Sequence, residues 1–269
     1  MFPLGYEIID FHTHPFLSKE SNICYHKDFC DMGVEQTLAK MDSLGVSKIC
    51  GSVIRLGGCN CQEQVLQRYY KNNNEALKLK ELFGDRYIPG YHVHPDFIEE
   101  SIKEVDRMHS LGINLIGELV PYIDGWSGDY NCKKLFEILD YAKKYDVVVN
   151  FHNSGNGNED AKDELVKAFP TIRFVGAHPY EMPTILRHIE RLKNNENYYI
   201  DLSGTGLFRE GLLRRFINEV GVDRILFGSD FPVCNMAMYV GAVALDNQLS
   251  HLEKEKIFSL NAKQLLGIK

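Results

Sequence analysis

Ile8-Ile9-Asp10-Phe11-His12-Thr13-His14-Pro15 is the stretch that decides the fold. It is an apolar run that closes in two histidines and a proline. Side chains two apart on a strand project to the same side, so His12 and His14 emerge together. Pro15 stops the strand there. Two neighbouring imidazoles at a strand end make half of a metal site. An open doubly wound sheet would normally carry a glycine-rich phosphate turn after its first strand. This chain carries His-Thr-His-Pro instead, which favours a closed barrel.

The rest of the chain keeps one rhythm. Short apolar runs at 7–12, 48–54, 87–93, 113–120, 147–152, 172–178, 198–202 and 224–228 alternate with helical patterns at 34–44, 62–83, 97–111, 133–145, 162–169, 183–192 and 212–219, with a terminal helical region at 237–266. Several runs are rich in β-branched residues with little alternation, the signature of parallel strands covered on both faces. Gly45, Gly84, Gly112 and Gly221 punctuate the junctions. Eight strand–helix pairs predict a (β/α)8 TIM barrel, an α/β fold, with residues 1–269 as one domain. No linker, low-complexity tract or repeat marks a second one.

Composition bounds the function. The 269 residues include 44% apolar residues, enough for a large core. A formal charge of −7 argues against nucleic acid or an anionic membrane as partner. No apolar stretch approaches a membrane span, and no secretory signal is visible, so a cytoplasmic protein with a small-molecule substrate is expected. Seven cysteines, an odd number, read as reduced thiols. Cys59-Asn60-Cys61 is the one tight pair; loop thiols without a role are the simpler reading beside a soft-metal site or a redox switch.

In such barrels chemistry gathers at the C-terminal strand ends. In order these ends carry His12 and His14; Arg55; His92 and His94; Glu118; His152; His178; Asp201 and Ser203; and Asp230. His92 and His94 read as packing and loop-anchoring residues. His26, His109, His188 and His251 fall in predicted loops or helices and read as surface residues.

Asp10-Phe11-His12-Thr13-His14, the strand-five His152, Gly176-Ala177-His178-Pro179, Phe227-Gly228-Ser229-Asp230-Phe231-Pro232 and the closing Asn261-Ala262-Lys263-Gln264-Leu265-Leu266-Gly267 follow one another in order. Over essentially its whole length the chain resembles the amidohydrolase superfamily, in its amidohydrolase-related branch of metal-dependent hydrolases and decarboxylases. The resemblance implies that His12, His14, His152 and Asp230 are metal ligands. It implies that His178 handles protons beside a single metal, or becomes a ligand in a two-metal centre. Two-metal members use a carboxylated lysine or a glutamate as a bridge. Strand four offers Glu118 and no lysine, so Glu118 stands open as bridge, ligand or plain hydrogen-bonded carboxylate.

The chemistry of these residue types agrees. Three imidazoles and a carboxylate suit Zn²⁺ first, and also Mn²⁺, Fe²⁺ or Co²⁺. Asp230 is placed to accept a proton from an activated water, and His178 to polarise a carbonyl or shuttle a proton. Arg55 and Arg209 are candidates to hold a substrate carboxylate; for Arg55 an ion pair within the barrel mouth is equally open. The expected function is metal-dependent hydrolysis of an amide, ester or lactone in a small polar substrate. Non-oxidative decarboxylation with the same ligands is the alternative, and a barrel that binds metal or ligand without turnover is a third reading. Loops 16–33, 56–61, 121–131 and 232–238 would set the substrate. Barrel enzymes often form symmetric oligomers, and the sequence leaves that state open.

Overall fold

Eight parallel strands form one sheet in the order in which they occur in the chain. They are β1 (Ile8–Asp10), β2 (Val46–Gly51), β3 (Tyr87–Tyr91), β4 (Leu115–Leu119), β5 (Val148–Phe151), β6 (Arg173–Gly176), β7 (Tyr198–Asp201) and β8 (Ile225–Leu226). The structure is a computed structural model and describes residues 5–24, 33–153, 158–206 and 209–269. His26, Cys30 and part of loop 16–33 lie outside the described residues. Sequential parallel pairing requires a crossover after every strand, and the helices supply it. These are α1 (Val34–Leu44), α2 (Gln62–Phe83), α3 (Ile98–Ser110), α4 (Pro121–Asp124), α5 (Lys133–Ala142), α6 (Glu159–Ala168), α7 (Met182–Asn194), α8 (Leu212–Val220), α9 (Met236–Ala244), α10 (His251–Glu255) and α11 (Asn261–Leu266).

The expected (β/α)8 alternation is the observed one. Two details differ from the reading of the sequence. The terminal helical region breaks at 245–250 and restarts at Ser250, whose side chain accepts from the Glu253 amide in a reciprocal cap. The loop at 121–131 contains the short helix α4, which Pro121 opens.

The ring closes between its last and first strands. The Phe11 amide donates to the Phe227 carbonyl (2.8 Å), the His14 amide to that of Phe231 (2.7 Å), and the Asp230 amide to that of His12 (2.9 Å). Asp10 reinforces the seam from below: its carboxylate accepts from the Ser229 amide (2.9 Å) and hydroxyl (2.5 Å). Burial pushes the Asp10 carboxyl up to about 7, against the lowering effect of the Ser229 bonds. Closure therefore brings Asp230, from one end of the chain, beside His12 and His14 from the other.

Residues two apart on one strand run from an apolar floor to a polar mouth. Val148 is followed by Asn150 and His152, Cys50 by Ser52, and Tyr199 by Asp201 and Ser203. Ile9, Cys50, Leu115, Val148, Val175 and Leu226 meet Ala262 and Leu265 of α11. A larger apolar cluster fills the space between sheet and helices. Gly51 marks a close approach, since a Cβ there would lie 1.9 Å from the Thr13 carbonyl oxygen at a φ of 144°. Gly51→Ala is expected to cost roughly 3 kcal/mol or more, because β1 must shift or the backbone must strain. Urea denaturation checks this, and a loss below about 1 kcal/mol would mean that β1 yields easily.

Candidate metal centre

Six of the strand-end residues meet at the C-terminal mouth. The Nε2 atoms of His12 and His14 are 3.1 Å apart. Asp230 Oδ1 lies 3.4 Å from His14 Nε2 and 3.8 Å from His12 Nε2. Glu118 sits in the middle: Oε2 is 3.5 Å from His14 Nε2 and 3.6 Å from His12 Nε2, while Oε1 is 2.9 Å from His152 Nδ1 and 3.4 Å from His178 Nε2. His12, His14, Glu118, His178 and Asp230 are buried, and His152 is half-buried. Among the described residues, two groups have ligand atoms close enough to share an ion: His12, His14 and Asp230, and His12, Glu118 and His178.

The far side of each ring shows what its near side carries. His14 Nδ1 is 2.9 Å from the Ser52 carbonyl, which can only accept. His12 Nδ1 is 2.9 Å from Asp201 Oδ2. Burial works against ionising Asp201, but the positive potential of His12 and His178 and its hydrogen bonds win and lower its pKa, so it too only accepts. Both Nδ1 atoms are therefore donors, and both Nε2 atoms present lone pairs. His178 follows the same logic. The Ser203 hydroxyl donates to Asp201 Oδ1, so its oxygen accepts from His178 Nδ1 at 2.9 Å. His178 Nε2 is left as a lone pair aimed at Glu118.

The result is a buried convergence of lone pairs: three ring nitrogens and two carboxylates, with no donor among them. Such a set is stable only around cations, either protons or a metal ion. Without metal the groups answer with protons. Burial pulls the His14 imidazole down, but hydrogen bonds to Asp230 and Glu118 prevail and raise it to about 9. Burial likewise opposes charge on His12, yet Asp201 and Glu118 hold it well above the ordinary histidine value. Glu118 is kept well below the usual carboxylate range, since His12 and His152 outweigh its burial. Borderline nitrogen ligands with two carboxylates, each imidazole oriented by an acceptor behind it, suit a divalent cation.

The sequence places Asp201 and Ser203 at a strand end without revealing a role for either. They anchor the site: Asp201 takes His12 Nδ1 and Asn150 Nδ2 (3.2 Å) on one oxygen and Ser203 on the other. The available signal was their spacing of two at the end of β7. Ser52, which orients His14 through its carbonyl and whose hydroxyl oxygen accepts from the Glu118 amide (2.9 Å), gave no sequence signal.

His178 and Asp230 hold φ of 64° and 61°, left-handed values that non-glycine residues seldom adopt. His178 is clamped from both sides. Gly204 lies so close that a Cβ there would be 2.3 Å from His178 Nδ1. Behind its backbone, His188 Nε2 donates to the His178 carbonyl (3.1 Å), Tyr198 Oη donates to His188 Nδ1 (2.7 Å), and Arg191 Nη1 donates to Tyr198 Oη (3.4 Å). The surface position expected for His188 is thus corrected: it is fully buried under β6 and β7, with its pKa driven well below the usual value by burial and by Arg191. Its helical pattern did not reveal which face packs inward. His188→Ala is expected to cost about 2–3 kcal/mol, because it strands the His178 carbonyl and the Tyr198 hydroxyl. A solvated histidine would cost under about 0.5 kcal/mol in the same denaturation experiment.

The remaining assignments separate. Arg55 is engaged by Glu75 and by Asn72 Oδ1 (2.6 Å), which matches the ion-pair reading. Arg209 pairs with Glu181. His92 bonds the Val53 carbonyl (2.8 Å) and His94 that of Asp124 (3.1 Å), the anchoring role expected of both. His109 and His251 are exposed. Cys50, Cys59, Cys61, Cys132 and Cys234 form no disulfide. No helix among the described residues is long and apolar enough to cross a membrane.

Comparison with known proteins follows the same lines. A sequence model of the amidohydrolase family matches residues 9–268. No curated protein matches. Among solved structures, a 2,6-dihydroxybenzoate decarboxylase complexed with 2,6-dihydroxybenzoate superposes with a TM-score of 0.76 at 17% identity, covering 97% of this chain and 99% of the other. The 5-carboxyvanillate decarboxylase of Novosphingobium aromaticivorans, complexed with manganese and 4-hydroxy-3-methoxy-5-nitrobenzoic acid, gives 0.76 at 15%, covering 100% and 98%. A 2,6-dihydroxybenzoate decarboxylase from Rhizobium gives 0.75 at 18%, covering 98% of each. At these identities the likeness is one of fold.

Proposed function

The chain belongs to the amidohydrolase family, and from that premise we propose that it is a metal-dependent enzyme that decarboxylates a small carboxylated substrate without oxidation. The observation that carries the metal dependence is the buried set of lone pairs on His12, His14, His178, Glu118 and Asp230. Support for the reaction comes from the decarboxylases whose fold matches over the full length of both chains. This reading displaces the hydrolytic one as the first choice.

His12, His14 and Asp230 would hold the ion, with Glu118 and His152, which bond each other at 2.9 Å, as the further candidate ligands beside them. Zinc is the first candidate on the nitrogen-rich donor set, with manganese next because a matching decarboxylase binds it. The ion supplies Lewis acidity towards the substrate's oxygens. Loss of CO₂ breaks a carbon–carbon bond and leaves its electron pair on carbon, so a proton must be delivered there. His178 is suited to deliver it: burial disfavours its charged form, but Glu118 and Asp230 raise its pKa above the ordinary value. Ser203, itself held by Asp201, keeps a proton on His178 Nδ1, so the proton delivered would leave from Nε2.

Hydrolysis of an amide, ester or lactone is the second reading. It is favoured by Glu118 and His178, a carboxylate and an imidazole 3.4 Å apart beside the first donor group, which could position a water. One experiment separates the readings. Metal-loaded protein is incubated in D₂O with a panel of hydroxybenzoates and of aryl amides, esters and lactones. Released CO₂ with deuterium at the vacated carbon supports decarboxylation, and acyl cleavage overturns it in favour of hydrolysis. Turnover of neither class at full metal loading leaves a non-catalytic barrel.

A further inference from the structure

Next to the metal centre, on the other side of Tyr122, lies a cavity of about 680 Å³ that the reaction assigned above leaves unused. Loop 56–61 and α4 form its walls, with Leu56, Val65 and Ile123 as apolar surface and Arg68 and Tyr122 as polar groups. Tyr122 is the shared wall: its hydroxyl is 3.3 Å from His152 Nε2, and its ring meets the His152 ring edge-on at 5.6 Å.

Arg68 is the group that calls for a ligand. Its Nη1 donates to the Gly57 carbonyl (2.6 Å) and its Nη2 to that of Ile123 (2.7 Å). These bonds fix the guanidinium between the two loops and neutralise none of its charge. No carboxylate of the described residues pairs with it, whereas Arg55 and Arg209 are held by Glu75 and Glu181. A guanidinium has five N–H donors, so three remain after the two carbonyls. A fixed, half-buried fork of this kind is built for a carboxylate or phosphate.

We propose that this cavity is a distal subsite for a second anionic group of the substrate. The reacting carboxylate lies over the metal centre, the ring or chain packs on Tyr122 and Leu56, and the far anion pairs with Arg68. The substrate class is thus an aromatic or short-chain acid with two anionic groups. This inference rests on the metal-centred reading above, and it moves the anion-gripping role expected of Arg55 to Arg68.

The test titrates zinc-loaded and metal-free protein with benzoate and with the three benzenedicarboxylate isomers by calorimetry. In the wild type at least one dicarboxylate is expected to bind about tenfold or more tighter than benzoate. Arg68→Gln should bring it down to the benzoate level. Arg68→Lys keeps the charge but loses the carbonyl strap, so it should retain most of the preference. No preference in the wild type, no binding of any acid, a preference surviving Arg68→Gln, or Lys behaving like Gln would overturn the subsite; the last would leave Arg68 as a loop strap. Arg68-dependent binding that is the same with and without zinc would keep the subsite and sink the metal-centred reading instead.

Discussion

Adding saturating zinc or manganese to metal-free protein is expected to raise its melting temperature by on the order of 10 °C. Ligand at about a thousand times its dissociation constant stabilises the native state by about 4 kcal/mol, and each kcal/mol is worth about 2–4 °C in a chain near this size. The effect should vanish in His12→Ala plus His14→Ala, which removes two of the converging lone pairs. Turnover should fall at least about a thousandfold with it, since both donor groups of the described residues include His12. The binding must also displace protons. His14 is raised to about 9 in the metal-free site, so near pH 7 the His12–His14 pair holds at least one proton between its Nε2 atoms. Metal binding releases it, and affinity therefore rises with pH up to about 9. The linkage has the opposite sign for the metal-free fold. A histidine raised above its ordinary 6.5 contributes stability in full below that value, and this stability is lost as pH climbs through about 9. Titrations in buffers of different ionisation enthalpy count the protons. Binding without proton release would mean that the site is organised differently.

Asp201→Asn is the second large effect, although Asp201 touches no ion in this account. Its carboxylate receives four donors: His12 Nδ1, Asn150 Nδ2, the Ser203 amide and the Ser203 hydroxyl. An asparagine amide offers one accepting oxygen and turns its NH₂ onto donors. One relief moves the His12 proton from Nδ1 to Nε2, which removes the lone pair the metal needs. Metal affinity is expected to fall by about 10- to 100-fold, the usual range for a partner behind a ligand, with about 3 kcal/mol lost in stability. Competition against a chelator of known affinity measures the first and urea denaturation the second. An affinity within about twofold of wild type would show that His12 is oriented by something other than Asp201.

Much of this architecture was legible because it depends on local pattern. Alternating apolar runs and helical stretches gave the strand–helix count, and a spacing of two placed His12 and His14 on one side. Position at a strand end brought His12, His14, Glu118, His152, His178 and Asp230 onto one short list, although Arg55, His92 and His94 stood on it too and turn to other partners. What failed to show depends on partners far apart in the chain. For Arg55 the sequence leaves a substrate clamp and an ion pair equally open, and only the fold shows Glu75, twenty positions on, holding it. Arg68 has no motif at all; what singles it out is that no carboxylate of the described residues pairs with it beside a cavity. His188 reads as a solvated helix residue because sequence periodicity cannot say that β6 and β7 cover that face. Asp201 and Ser203 were visible in place but not in role, since a hydrogen-bond hub has no spacing of its own.

The central claim is that the buried lone pairs at the mouth form a divalent-metal centre. Elemental analysis of protein purified without chelator, beside a His12→Ala variant, tests it most directly. The account predicts at least one equivalent of zinc or manganese in the wild type, rising towards two if Glu118 bridges, and a substoichiometric amount in the variant. A wild type that holds no metal after reconstitution, with its melting temperature unmoved, would contradict the claim and leave these histidines and carboxylates as a proton-bridged cluster.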